Sequence, residues 1–128
     1  VDLKRDTDVL NKTYNDVAGY TADFNLNLLH RIKAELGGKL DISTFEHNAF
    51  YNEDLGRIEM HLISRLDQSI EIGGQQFNFR KGESIHTENS YKYSIDEFLE
   101  LAGCAGFGSV KTWTDADNYF SIHYLAAK

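Results

Sequence analysis

The feature that most constrains this chain is a change of hydrophobic period at Gly37-Gly38. Before it, Phe24, Leu28, Leu29, Ile32 and Leu36 recur at three- and four-residue intervals, the spacing of one helix face. After it, Ile58, Met60 and Leu62 alternate with Arg57, Glu59 and His61, as in a strand with one buried face. Helices and strands that are segregated along the chain, with tight turns between the strands, predict the α+β class.

The remaining segments follow from local signals. Asp6 and Thr7 can cap a first helix over about 8–17, which Gly19 ends, and Thr21 caps a second over 22–36. Strands are expected at 45–51 and 56–62, with 52–56 as the turn. A hairpin of 69–72 and 76–79 turns at Gly73-Gly74, and a further extended segment covers 85–91. Ser94 and Glu97 form a capping box for a helix that turns Ile95, Phe98, Leu99 and Ala102 inward and stops near 103–106. Two last strands fall at 107–114 and 119–125 around a turn at 115–118.

Composition narrows the function classes. With 128 residues, 41% of them hydrophobic, the chain suffices for one domain or one compact piece of a larger one. Eight Phe and seven Tyr exclude intrinsic disorder. A net charge of −7 with no basic cluster disfavours nucleic acid or an anionic membrane as partner. The single cysteine, Cys104, excludes an internal disulfide framework and a cysteine zinc knuckle, and is expected as a small buried residue. No apolar run reaches the roughly 18–20 residues that span a bilayer, and no signal peptide opens the chain, so a reducing cytoplasm is the expected location. Val1-Asp2-Leu3-Lys4 reads as the tail of a strand, and an excised piece of a longer protein is expected.

Chemistry-bearing residues are sparse. The histidines lack the local spacing of a zinc site, and they are expected as surface or satisfied core residues; no metal is expected. No nucleotide-binding glycine loop is present. The run His86 to Tyr93 is almost wholly polar or aromatic, and an unpaired buried polar atom costs about 1–3 kcal/mol. It suits either an exposed polar edge or a ligand wall on which Glu88 and Ser90 share a side and meet N–H groups. Tyr14 to Thr21, at the joint of the first two helices, suits either simple capping or an anion held at a helix N-terminus.

Seven motifs in one order carry a resemblance. They are Leu3-Lys4-Arg5-Asp6, Tyr14-Asn15-Asp16, Gly19 to Leu29, Phe45-Glu46-His47, Arg57 to Leu62, Thr87 to Lys92 and Trp113-Thr114-Asp115. Over essentially the whole chain, the sequence resembles the C-terminal portion of the S-adenosylmethionine-dependent L-histidine Nα-methyltransferases of ergothioneine biosynthesis. The resemblance implies that 1–93 is an amino-acid recognition domain. It implies that 94–128 supplies the last helix and strands of a Rossmann-like methyltransferase sheet. The donor-binding part lies upstream, so this piece is expected to be inactive alone.

For the site, the resemblance implies that Tyr14 donates to the substrate carboxylate. Glu88 and Ser90 hold the imidazole, Thr21 contacts the same ring, and Met60 packs against it. The implied partners are L-histidine, or a related amino acid, and the missing N-terminal half; exposed faces left by excision favour self-association. S-adenosylmethionine is the implied cofactor, bound outside these residues. The implied product is the trimethylated betaine, and no residue is identified as a base. The competing classes are a stand-alone ligand-binding or interaction module, and a related N-methyltransferase acting on another aromatic amino acid.

Overall fold

The computed structural model describes residues 1–128 as an α+β arrangement of three α-helices and three antiparallel sheets. Helix α1 (Thr7–Tyr14) starts where the Asp6 carboxylate accepts from the Asp8 and Val9 amides, satisfying donors that no earlier turn reaches. It ends short of the expected Val17, because Asn15 is drawn out of it. The Asn15 amide donates to the carbonyls of Asn11 and Ala49, and its oxygen accepts from the Ala49 amide. Tertiary pairing to a strand here outweighs one more helical turn.

Helix α2 (Tyr20–Glu35) departs from expectation at both its cap and its face. Its cap position is Gly19, with φ of 80°, a left-handed geometry suited to glycine. Asp16, not Thr21, supplies the capping oxygens, accepting from the Tyr20 and Thr21 amides at 2.9 Å each. Thr21 is a first-turn residue. The face against the sheet is Asn25 and Leu29, flanked by Leu26 and Ile32, whereas Phe24, Leu28 and Leu36 are 65%, 39% and 60% exposed. The helix is rotated from the apolar stripe because Asn25 finds polar partners on the sheet below.

Strands β1 (Phe45–Asn52), β2 (Arg57–Ser64) and β5 (Ser84–Tyr91) form the main sheet in the order β1-β2-β5. Ile58, Met60 and Leu62 on the central strand are at most 2% exposed, so the alternation read from sequence holds. Two apolar clusters lie on this face. One joins Leu29 with Leu40, Phe45, Leu62 and Ile70, and the other joins Leu10 with Ala49, Ile58 and Met60. A short 3₁₀ turn (Ile42–Thr44) leads into β1. Strands β3 (Gln68–Ile72) and β4 (Gln75–Phe79) make the expected hairpin, in which Gly73 and Gly74 have φ of 58° and 79°, as a tight hairpin turn requires.

The pairing of β2 with β5 contains an irregularity that matters for the site. Met60 pairs with Glu88 but His61 pairs with His86, so Thr87 is an extra residue on β5. Thr87 and Glu88 therefore both lie towards α2, while His86 faces the other side.

Helix α3 (Ile95–Cys104) has both arms of the expected capping box. Its turned-in residues are half-buried or buried, as read from sequence, but Cys104 is exposed rather than buried because the helix ends at the surface. Strands β6 (Phe107–Thr114) and β7 (Ser121–Ala127) pair as the final hairpin. The β7 strand starts later than the expected 119 because Asp115 closes the turn by accepting from the Phe120 amide. Val1–Leu3 joins this region as strand-like chain, through bridges of Asp2 with Phe120 and Leu3 with Tyr93. No helix is long and apolar enough to cross a membrane.

Candidate functional site

The polar run on β5 meets the joint of α1 and α2 at a buried lysine. Lys92 Nζ lies 2.6 Å from Asp2 Oδ2, 2.7 Å from Tyr14 Oη and 2.8 Å from Ser90 Oγ, and the lysine side chain is 0% exposed. Tyr14 Oη and Ser90 Oγ lie 3.0 Å apart. The ammonium also sits 4.7 Å from the centre of the Tyr14 ring, a favourable cation–π distance. Buried charge demands a partner and filled hydrogen bonds, and Lys92 has both. Sequence reading did not find Lys92 or Asp2. The only sequence signal for Lys92 was its place in the polar run, since lysine is rarely buried.

Ser90 pairs with Ile58 and Glu88 with Met60, so the two side chains share the helix-facing side of the sheet, as expected. They differ in environment. Ser90 is half-buried and hydrogen-bonded, whereas Glu88 is exposed and its carboxylate makes no hydrogen bond in the fold. The Glu88 carboxylate is thus open to solvent. Glu88 lines a groove of about 200 Å³ with Thr87, Phe24, Asn25, Leu28 and Arg31. The exposed Phe24 and Leu28 give this groove an apolar wall. Arg31 is held by Glu35, its Nε donating at 2.8 Å, so Glu88 is the unpaired anion here.

Met60 lies opposite Glu88 but is 2% exposed, packed with Leu10, Ala49 and Ile58 and flanked by Tyr14. It underlies the site as part of the core. Thr21 is half-buried one helical turn before Asn25, with its amide held by Asp16. Tyr14 and Ser90 are thus in contact, Met60 and Glu88 adjoin them on one face, and Thr21 makes no hydrogen bond to any of them. The anion reading of the α2 N-terminus is overturned, because the Asp16 carboxylate already fills it. Those amide hydrogen bonds, with a further one from the Thr21 hydroxyl, lower the Asp16 pKa to about 2.

A second network, also missed from sequence, fixes α2 over the sheet. Asn25 Nδ2 donates to His47 Nδ1 and to the His61 carbonyl, both at 3.0 Å, and Asn25 Oδ1 accepts from Thr87 Oγ1 at 2.6 Å. Because His47 Nδ1 accepts, its Nε2 carries the proton and donates to the Tyr14 carbonyl at 2.8 Å. One chain of hydrogen bonds therefore runs from β5 through α2 and β1 to the end of α1, where Tyr14 enters the site. His47 is a satisfied interior histidine, as expected.

The opposite side of the sheet holds Glu59, His61 and His86, whose ligand atoms lie within 4.8 Å of one another and could hold a metal ion. The β2–β5 pairing creates this trio, which no local spacing in the sequence shows. In the fold the Glu59 carboxylate is already held by Arg57 at 2.8 and 2.9 Å, which keeps its pKa below the usual range. Phe50, His61 and His86 form a stack with ring centres 5.4 and 4.5 Å apart. The larger cavity, about 460 Å³, lies on the far side of Lys92, between Tyr91, Tyr93 and α3. It includes none of the site residues expected from sequence. At the β5–α3 junction, Ser94 and Glu97 close the start of the helix on themselves.

Comparison with known proteins finds relatives along nearly the whole chain. A histidine N-alpha-methyltransferase of Mycolicibacterium smegmatis is 36% identical over 94% of this chain and 38% of its own length. An L-tryptophan methyltransferase of Psilocybe serbica is 26% identical over 99% of this chain and 36% of its own length. Ergothioneine biosynthesis protein 1 of Schizosaccharomyces pombe is 28% identical over 97% of this chain and 16% of its own length. The chain thus spans well under half the length of each of these relatives. The family model for the histidine-specific, SAM-dependent methyltransferases matches residues 1–127, and the chain belongs to that family.

Proposed function

We propose that this chain is the amino-acid-recognition part of a cytoplasmic methyltransferase that acts on the α-amine of L-histidine, as a step towards ergothioneine. The observation that carries the reading is the shared face of β5. There Glu88 stands free and Ser90 touches Tyr14, so an acceptor for N–H groups adjoins a pair of hydroxyls. In this reading Tyr14 donates to the substrate carboxylate. Glu88 and Ser90 grip the imidazole, Thr21 approaches the ring from α2, and Met60 forms the apolar floor. A charge-assisted bond from a ring N–H to Glu88 is stronger than a neutral one.

In the full-length protein, bound S-adenosylmethionine supplies an electrophilic methyl group. The residues here hold the acceptor amine in line with it, and alignment of this kind is a large part of a transfer rate. The amine must be unprotonated to attack, and no residue of this chain is assigned as its base. Three successive transfers give the trimethylated betaine in this reading. Helix α3 and the β6–β7 hairpin belong to the Rossmann-like sheet of the donor domain, whose remainder covers the exposed side of β7.

The test is mass spectrometry of the full-length protein incubated with S-adenosylmethionine and either L-histidine or L-tryptophan. Methylated histidine in preference to methylated tryptophan is expected, and the 128-residue chain alone is expected to give no product. Preference for tryptophan would favour the second reading, which the fungal relative motivates. Turnover by the chain alone would overturn the assignment of the donor to the missing part.

A further inference from the structure

We infer that Lys92 is a positioning residue. Its buried ammonium holds Tyr14 and Ser90 in a contact through which they present opposite polarities to a ligand, one as a donor and the other as an acceptor. The inference rests on the histidine reading above and specifies the form in which the ring is bound.

An ammonium has three N–H donors and no acceptor. All of them are used inside the fold, on Asp2, Tyr14 and Ser90. Each hydroxyl therefore accepts from Lys92 with one of its two lone pairs. The 3.0 Å contact between the hydroxyls takes one of their two protons and one more lone pair. Whichever hydroxyl gives that proton keeps a free lone pair. The other has both lone pairs filled and its proton free. The pair therefore cannot point two donors outward while this contact lasts.

When Tyr14 donates outward to a carboxylate, Ser90 must give its own proton to Tyr14. Ser90 then faces the ring as an acceptor. Glu88, on the same face, is also an acceptor, and its carboxylate has no partner in the fold. A ring that satisfies both must carry two N–H groups. Neutral imidazole carries one, and so does indole, whereas imidazolium carries two. The surrounding charges agree. Asp2 and Lys92 pair at 2.6 Å, Arg31 is paired with Glu35, and Glu88 is left as the anion facing the ring. The site therefore binds histidine with a protonated ring, and Lys92 supports this by donating to both hydroxyls and holding them in the contact that makes Ser90 an acceptor.

The experiment is nitrogen NMR of ring-¹⁵N-labelled L-histidine bound to the full-length protein, near pH 8, where the free ring with its pKa of about 6.5 is neutral. Both ring nitrogens are expected to show protonated-type shifts in the wild-type complex. In Tyr14→Phe the proton of Ser90 is released to face the ring, so the bound ring is expected to lose its second proton at a lower pH than in wild type. Ser90→Ala is expected to do the same and provides the test if Tyr14→Phe does not fold. Lys92→Met is expected to raise the KM for histidine about tenfold with kcat changed by less than about twofold, the pattern of lost binding without lost chemistry; Lys92→Arg is expected to recover part of that loss. A neutral ring in the wild-type complex, or variants whose ring titrates as wild type, would overturn this inference while leaving histidine as substrate. Absence of histidine binding by the wild type would overturn both.

Discussion

The two ends of this chain treat apolar side chains in opposite ways. On the main sheet, Ile58, Met60 and Leu62 are covered by α1, α2 and the strands beside them, and none is more than 2% exposed. On the β6–β7 hairpin the same alternation leaves Trp113, Ile122 and Tyr124 at 45%, 60% and 60% exposed, while Ser121 and His123 face inward. Period two thus marks two faces in both places but does not say what covers them. The first sheet carries its own cover, and the hairpin leaves an apolar surface of the kind that proteins usually bury against a partner.

The largest expected effect sharpens this contrast. Leu62→Ala is expected to cost about 2–5 kcal/mol of unfolding free energy in this chain, as a cavity in a closed core does. Trp113→Ala or Ile122→Ala should stay within about 0.5 kcal/mol, as substitutions of exposed groups do. Urea unfolding followed by circular dichroism measures both, and equal losses at the two sites would break the comparison.

Next is Asn25→Ala, which strips α2 of its polar links to β1, β2 and β5 and leaves their groups unpaired; about 1–3 kcal/mol is expected in the same assay. Ser94→Ala removes the cap of α3 and should cost about 1 kcal/mol. Glu88→Gln, by contrast, should leave unfolding unchanged within about 0.5 kcal/mol because the carboxylate is exposed and unpaired. It should nonetheless weaken histidine binding by the full-length protein roughly tenfold or more, which calorimetry would show.

The smallest effect concerns Asp16. Its folded pKa of about 2 lies below the ordinary 3.8. Its stabilisation is therefore present above the ordinary value and is lost as pH falls towards the folded one. Asp16→Asn is expected to flatten the acid side of the stability profile in that window, as read from urea midpoints at stepped pH.

What could be read beforehand was local. The capping box at Ser94 and Glu97, the Gly73-Gly74 hairpin and the alternation of β2 depend on neighbours in sequence, and each is found in the fold. The shared face of Glu88 and Ser90 was also readable, since two-residue spacing survives beyond the irregular pair. What could not be read was non-local. Lys92 is buried because residues 2, 14 and 90 converge on it, and no sequence window contains them all. The rotation of α2 followed from Asn25, a polar residue whose partners sit on three strands. The trio of Glu59, His61 and His86 needed the strand pairing to come together.

The extra residue at Thr87 has a consequence for how such a chain can change. It lets two successive side chains serve one surface, with Thr87 tying down the helix and Glu88 left at liberty. Removing Thr87 would restore simple parity, with Glu88 and His86 kept on their present faces and only the tie to the helix lost. A single deletion at 87 should therefore be tolerated better than one elsewhere in 84–91, and a library of single-codon deletions across the strand would show it.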